Sequence, residues 1–197
     1  MIKLGITGGI SSGKSTAAMY FSNKDKTFIF NADRESKKHL KTSSSLQKKL
    51  IHVFGNKITN NKTLNIDLLA SEAFSNQINH KILNGIMWPE ILILINRAYE
   101  SAKTNKYKLF IVDAALIFEA NFTSFFDKTI LITTNKSIRI DRAIKRNNLS
   151  LESIQNRIHL QMSDNNKKKL ADIVINNNGS IDSLNKKLDK LYLDLFK

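Results

Sequence analysis

Short apolar runs separated by longer amphipathic stretches are the main pattern along the chain. Five runs are nearly continuous in apolar residues and are predicted to be strands: 2–7, 28–30, 109–112, 129–133 and 172–175. Continuous apolar strands separated by helices are typical of a parallel sheet that is covered on both faces. The pattern therefore predicts an α/β, doubly wound fold with a five-stranded parallel sheet flanked by helices.

Helical periodicity accounts for most of the remaining chain. Helices are predicted over 14–21, 136–147, 151–162 and 181–196. The stretch 34–106 is also mostly helical, with polar breaks at 42–45 and 56–62. Ligands of such sheets bind at the carboxyl ends of the strands. Polar clusters follow four of the strands, at 7–15, 31–33, 113–119 and 176–179.

Composition excludes several classes of protein. The 197 residues include no Cys, which excludes disulfides, thiolate metal sites and Cys nucleophiles. No apolar run reaches the roughly 18 residues that a membrane span needs. The first residues lead into a strand and lack the layout of a signal peptide, which favours the cytoplasm.

The net charge of +14 is compatible with nucleic acid, a membrane surface or an anionic metabolite. Only six of the 31 basic residues are Arg, so 25 are Lys, and this bias predicts a solvated basic surface. The Lys run 167–169 is read in the same way, although it could attract an anionic substrate.

The segment 8–15, GGISSGKS, matches the phosphate-loop motif G-x-x-x-x-G-K-[ST] between a predicted strand and a predicted helix. Backbone N–H groups of such a loop bind phosphate oxygens, and the helix dipole adds to the attraction. We expect Lys14 to contact the β- and γ-phosphates of ATP, the Ser15 hydroxyl to ligate Mg²⁺ and Thr16 to bond the α-phosphate. The other expected loop contacts are Gly9, Ser11, Ser12 and Gly13.

Two carboxylates follow strands that face this loop. Asp33 is the candidate base for the acceptor hydroxyl, and the alternative is a helix N-cap. Asp113 is expected near Mg²⁺, in contact through water, and the alternative is a carboxylate that caps a loop.

Three Arg residues share one face of a predicted helix, because Arg139, Arg142 and Arg146 are spaced i, i+3 and i+7. Arg142 and Arg146 are the preferred nucleotide contacts, against the alternative of a solvated basic face. Arg157 lies on the next helix and could close over the phosphates. Asn177, in the turn after the last strand, is a candidate neighbour of adenine or an ordinary turn residue.

The ordered motifs resemble the dephospho-CoA kinase family over nearly the whole chain. The opening GITGGISSGKST is similar to that family's G-[LI]-T-G-G-I-[GA]-S-G-K-S, and 31–33 stands where the family has D-A-D. Residues 113–119, DAALIFE, resemble D-[VIT]-P-L-L-[FY]-E. Near the end, RI…QM at 157–162 and ADIVINNNG at 171–179 resemble R-I-x-x-Q-M and A-D-x-V-I-x-N-x-G.

The resemblance implies a P-loop kinase that uses ATP and Mg²⁺ to phosphorylate the ribose 3′-hydroxyl of dephospho-CoA. It implies catalytic roles for Asp33, Lys14 and Arg142, and substrate contacts for Asp33, Asp113, Glu119 and Arg157. For Glu119 the alternative is a structural role. We expect a single domain, monomeric or weakly homo-oligomeric, with no nucleic-acid or membrane partner. Its expected parts are a core over about 1–33, 107–140 and 170–197, a helical substrate-binding insert over about 34–106, and a lid over about 141–169.

Five positions depart from the family pattern: Ser11 for Gly or Ala, Asn31 for Asp, Trp88 for His, Ala115 for Pro and Asn147 for Asp. We expect the Ser11 change to be mild, provided that its φ is negative. Two alternative functions remain: a nucleoside or nucleotide kinase of related fold, and a basic nucleic-acid-binding ATPase. The low aromatic content of 8% argues against the second, because single-stranded nucleic acid is usually bound by stacking on aromatic rings.

Overall fold

The structure of the protein, a computed structural model, describes residues 1–147 and 150–196, without the side chains of residues 146 and 147. Seven strands are described: β1 Ile2–Gly8, β2 Thr27–Asn31, β3 Thr59–Asn60, β4 Thr63–Leu64, β5 Leu109–Asp113, β6 Lys128–Thr133 and β7 Ile173–Asn176. The helices are α1 Lys14–Ser22, α2 Ala32–Thr42, α3 Ser44–Phe54, α4 Ile66–Ala73, α5 Gln77–Thr104, α6 Lys136–Asn147, α7 Leu151–His159, α8 Asp164–Leu170 and α9 Ile181–Leu195.

Five strands form a parallel sheet in the order β2-β5-β1-β6-β7, which confirms the predicted architecture. The central strand β1 pairs with β5 through Ile6 opposite Asp113 and with β6 through Gly8 opposite Ile132. The carboxyl ends of β1, β2 and β5 therefore lie side by side at one edge of the sheet.

Alternation along β6 shows how the sheet is covered on both faces. Ile130 and Ile132 belong to one apolar cluster, which also contains Phe21 of α1 and Leu188 of α9. Leu131 points the opposite way, into a second cluster with Ile117. Each fully buried side chain of this kind contributes about 1.5–3 kcal/mol of transfer free energy. Burial on both faces explains why the sequence shows continuous apolar strands.

The chain divides into two compact units, Met1–Asn31 with Arg97–Lys197, and Ala32–Asn96. The first unit holds the five-stranded sheet. The second has its own apolar core, which includes Leu46, Leu50 and Ile58, and the short antiparallel pair β3–β4. The predicted single-domain organisation, with its insert and lid, stays a prediction.

Element boundaries differ from prediction mainly near residue 160. The predicted helix 151–162 ends at His159, and α8, which was not predicted, begins after Ser163. The Ser163 side chain accepts a hydrogen bond from the backbone N–H of Asn166, so it caps α8. The hairpin β3–β4 was not predicted, because β3 lies in the polar break at 56–62 and β4 lies just after it, in a stretch read as mostly helical. Within the described ranges, no helix is long and apolar enough to cross a membrane.

Candidate active site

The phosphate loop connects β1 to α1 in a tight turn. Gly13 has a φ of 96°, in the left-handed region that glycine adopts at little cost. The backbone N–H of Ser12 donates to the Gly9 carbonyl at 3.1 Å, and that of Ala17 donates to Gly13 at 2.9 Å. The loop therefore leads directly into the first turn of α1, where the helix dipole favours an anion.

Ser11, which stands where the family has Gly or Ala, costs more conformational free energy than expected. Its φ is 55°, whereas the expectation of a mild change required a negative φ. A side chain in the left-handed region costs roughly 1–2 kcal/mol, because its Cβ crowds the backbone. The loop therefore carries local strain at the position where the family has Gly or Ala.

Two residues that directly follow β6 and β7 form hydrogen bonds to the backbone of the loop. The Ser12 carbonyl accepts hydrogen bonds from the Thr134 hydroxyl and from the Asn177 side-chain amide, both at 2.9 Å. Asn177 is buried, and its backbone N–H donates to the Thr133 carbonyl at 2.8 Å. Asn177 thus lies at the loop and holds its backbone, a role that sequence reasoning missed. The proposed contact with adenine stays a prediction.

The carboxyl ends of three strands bring charged and polar groups together. The Lys14 ammonium forms an ion pair with Asp113 Oδ1 at 3.1 Å, and the Asn31 amide donates to Asp113 Oδ2 at 2.8 Å. The Asp113 side chain is only 1% exposed. This strand-end cluster of Lys14, Asn31 and Asp113 follows from the register, because Asn31 and Asp113 are direct partners across β2 and β5.

Asn31 has a chemical consequence at this cluster. An Asp there would place a second carboxylate within hydrogen-bond distance of Asp113, whereas the Asn31 amide donates a hydrogen bond to it. The departure from the family pattern therefore replaces a repulsive contact between two carboxylates with an attractive one.

The donor set at the loop fits a Mg²⁺ ion that is bound mainly through a nucleotide. Mg²⁺ is usually held by one or two protein oxygens together with substrate phosphates and water. Ser15 is the second residue of α1, next to Lys14, and Asp113 supplies a carboxylate at the same edge. In the described part of the chain, no group of three or more His, Cys, Asp or Glu side chains is arranged to hold a metal ion by itself.

Helix α6 places its Arg residues at different depths. Arg139 is 5% exposed, and its guanidinium packs against Gly9. Arg142 is half-buried and, with Ser11, Gly13 and Lys145, lines an open cavity of about 280 Å³. The predicted contact at Arg146 lies outside the described residues, since its side chain is not described. The shared helix face was predicted, but not that Arg139 would be the buried member beside the loop.

The expectation of a solvated Lys run is wrong at Lys167. Its side chain is fully buried, pairs with Glu119 Oε1 at 2.9 Å and donates to the Ala115 carbonyl at 3.1 Å. Glu119 Oε1 also accepts from the backbone N–H of Met162 at 2.9 Å. These contacts connect the segment after β5 to α8, through Lys167, and to the segment between α7 and α8, through Met162. The substrate contact expected of Glu119 stays a prediction.

Three further candidate residues, Arg157, Asp33 and Thr16, lie on helices. Arg157 is on α7, where burial lowers the pKa of its guanidinium. The group still stays charged at neutral pH. Asp33 belongs to the second unit and lies inside the first turn of α2, which begins at Ala32. A carboxylate in the first turn of a helix stabilises it, so a role in α2 stays the alternative to a role as the base. Thr16 is exposed on the first turn of α1.

Comparisons with known proteins agree with the motifs. A family model described as dephospho-CoA kinase matches residues 2–183. A dephospho-CoA kinase from Fusobacterium nucleatum is 34% identical over 189 residues, which cover 95% of each chain. One from Chlamydia caviae is 31% identical over 196 residues, 99% of this chain and 96% of the relative. The solved structure of a dephospho-CoA kinase from Campylobacter jejuni has a TM-score of 0.66 and 26% identity, covering 98% of this chain and 96% of the other.

Proposed function

The chain belongs to the dephospho-CoA kinase family, and from that premise we propose how its residues perform the reaction. The enzyme is an ATP-dependent kinase that converts dephospho-CoA to CoA, the last step of CoA biosynthesis. The observation that carries the proposed site is the meeting of the phosphate loop, Lys14 and Asp113 at one edge of the sheet.

Lys14 is proposed to stabilise the charge that develops between the β- and γ-phosphates. Its ammonium is held at the carboxyl edge by Asp113, and its side chain is 12% exposed, so it is shielded from bulk water. A fixed positive charge in such a site is worth more than in water, because the effective dielectric is lower. Nucleotide phosphates at the loop would give Lys14 a further anionic partner.

Mg²⁺ is proposed as the cofactor, with Ser15 as a direct ligand and Asp113 in contact through water. When bound, the ion neutralises charge on the β- and γ-phosphates. The protein contributes the hydroxyl, the buried carboxylate and the Asn31 amide that fixes this carboxylate. The other loop residues, Gly9, Ser11, Ser12 and Gly13, are proposed to supply backbone N–H groups to the phosphates.

The nucleotide is proposed to extend into the cavity beside α6. Arg142 lines that cavity together with two loop residues, Ser11 and Gly13, so its guanidinium can reach a phosphate or stack on a base. The same nucleotide contact is proposed for Arg146 and Asn177, and a substrate contact for Glu119 and Arg157.

Asp33 is proposed as the general base. It would accept the proton of the ribose 3′-hydroxyl as that oxygen attacks the γ-phosphorus and the bond to the β-phosphate oxygen of ADP breaks. Its support is the match to the second Asp of D-A-D and its position two residues after Asn31 in the sequence.

The protein is further proposed to act in the cytoplasm, as a monomer or weak homo-oligomer, without a nucleic-acid partner. Its substrate is a small molecule. The excess of Lys is explained by a solvated surface and does not require a nucleic-acid ligand. Salt-titrated binding to DNA and RNA tests this point. Affinity that survives physiological salt would contradict it, since nonspecific electrostatic binding weakens steeply with salt.

A coupled assay of ADP release tests the acceptor. Purified protein is given ATP and Mg²⁺ with dephospho-CoA, a panel of nucleosides or a panel of nucleotides. We expect turnover with dephospho-CoA and little with the other two classes. Turnover confined to nucleosides or nucleotides would show that this chain acts on a different acceptor.

A further inference from the structure

Among the described residues, Arg139 is the most deeply buried Arg, and it forms an ion pair with a residue of another helix. Its side chain is 6% exposed, and Nη1 donates to Asp164 Oδ2 at 2.9 Å. Its Nε is buried and makes no hydrogen bond to any described residue. The position of the guanidinium therefore depends on the ion pair and on the surface that it packs against.

That surface is the backbone of the phosphate loop. A Cβ built on Gly9 would lie 2.6 Å from both Cζ and Nη1 of Arg139 and 2.8 Å from Nη2. No side chain fits at Gly9 while the guanidinium keeps its position. A side chain at Gly9 would therefore displace the guanidinium from the position in which it pairs with Asp164.

A second contact joins the same parts of the molecule. The backbone N–H of Ile10, the residue after Gly9, donates to Gln161 Oε1 at 3.3 Å. Gln161 lies in the segment that links α7 to α8, and Asp164 is the first residue of α8. The short stretch 161–164 therefore contacts the start of the loop in two ways. Gln161 binds the backbone of Ile10 directly, and Asp164 acts on Gly9 through Arg139.

We propose that the Arg139–Asp164 ion pair is a clamp that positions Gly9, and with it the phosphate loop, for ATP. Arg139 acts as a positioning residue through the loop backbone. The proposal rests on the proposed function in one respect, that the loop binds the phosphates of ATP. It assigns distinct roles to two residues of one helix, since Arg142 lines the nucleotide cavity and Arg139 supports the loop.

The test is a double-mutant cycle between Gly9 and Arg139. Gly9→Ala, Arg139→Ala and the double variant are compared with wild type by the KM for ATP, the KM for dephospho-CoA and kcat. Arg97→Ala is the matched control, because Arg97 is exposed on α5. Circular dichroism and thermal melting establish that each variant is folded.

Arg139→Ala is expected to raise the KM for ATP about tenfold, with a smaller change in the KM for dephospho-CoA, because small displacements of binding groups are costly. Gly9→Ala should also raise the KM for ATP. The double variant should resemble Arg139→Ala alone, because the added methyl group then meets no guanidinium. A KM for ATP within twofold of wild type in Arg139→Ala, or full additivity in the double variant, would overturn the proposal.

Asp164→Asn keeps the test decisive if Arg139→Ala does not fold. It preserves the side-chain volume and removes the charge that holds the guanidinium, so a rise of about threefold in the KM for ATP is expected. Asp141→Asn, at an exposed position of α6, is its control and should leave the KM unchanged. Equal values for the two variants would contradict the clamp. Lys14→Ala in the same series tests the ATP site separately: normal turnover in that variant would count against the site itself.

Discussion

The strand-end cluster and the Arg face of α6 show two different ways of bringing charged groups to a loop. In the cluster, Asn31 and Asp113 are partners in adjacent strands, so the hydrogen-bond register places their side chains in contact. On α6, spacing of i and i+3 places Arg139 and Arg142 on one face, but one is buried and the other lines a cavity. The register of paired strands thus determines which side chains are in contact. Helical spacing determines only which side chains share a face of the helix, and not how deeply each is buried.

The largest expected effect concerns Asp33, which lies two residues after the end of β2. Asp33→Asn is expected to lower kcat by roughly 10²–10⁴-fold, because it removes the anionic group that accepts the hydroxyl proton. The KM for ATP should stay nearly unchanged. Steady-state kinetics check this. If more than about a third of wild-type kcat remained, a role for Asp33 in helix α2 alone would be favoured.

Within the strand-end cluster, Lys14→Ala is expected to lower turnover about 10²-fold or more while the fold stays intact. The ammonium is lost where negative charge develops. Asp113 loses this ion-pair partner but keeps the hydrogen bond from the Asn31 amide. Turnover and the far-ultraviolet spectrum are the two measurements. Near-normal turnover in a folded variant would refute the role of the loop.

On the helix side of the comparison, Arg142→Ala is expected to raise the KM for ATP about tenfold with a smaller change in kcat, because it removes a charge-assisted contact in the cavity. Arg142→Lys should recover only part of the loss, since an ammonium cannot reproduce the planar guanidinium. An unchanged KM in the Ala variant would mean that the half-buried Arg faces solvent only.

The smallest expected effect lies away from both regions, where β6 meets the residue before β7. The hydroxyl and backbone N–H of Thr129 both donate to Asp172 at 2.7 Å, and these bonds lower the pKa of that carboxyl. The stabilisation is fully present above the ordinary pKa near 3.9 and is lost as the pH falls through the lower folded value.

Thr129→Val should therefore reduce the free energy of unfolding by about 1 kcal/mol at pH 7, the low end for a charged acceptor because Asp172 is exposed. The difference from wild type should narrow below about pH 4. Urea unfolding at a series of pH values checks it. A difference that stays constant with pH would rule out the carboxylate as its source.

The same contrast explains what could be predicted from sequence. Apolar runs and the polar clusters that follow them placed Lys14, Asn31 and Asp113 at one edge of the sheet, because strand pairing is periodic and the carboxyl ends align. The segment 136–147 was also predicted as a helix with the correct ends.

Three features depend on tertiary packing and have no local signal. The positive φ of Ser11 is a property of the folded loop, and the Ser residue itself does not predict it. Lys167 is buried because Glu119, 48 positions earlier in the chain, pairs with it. Arg139 is buried because Asp164 and Gly9 meet it from elsewhere in the fold.

Hydrogen–deuterium exchange with and without ATP and Mg²⁺ tests most directly that the loop at the strand ends is the ATP site. Exchange reports local opening of backbone amides, so a group that binds them slows it. The prediction is slower exchange for residues 9–15 on addition of ATP and Mg²⁺, with α9 unchanged as an internal reference. Unchanged exchange at 9–15, with protection appearing elsewhere in the chain, would contradict the assignment of the site.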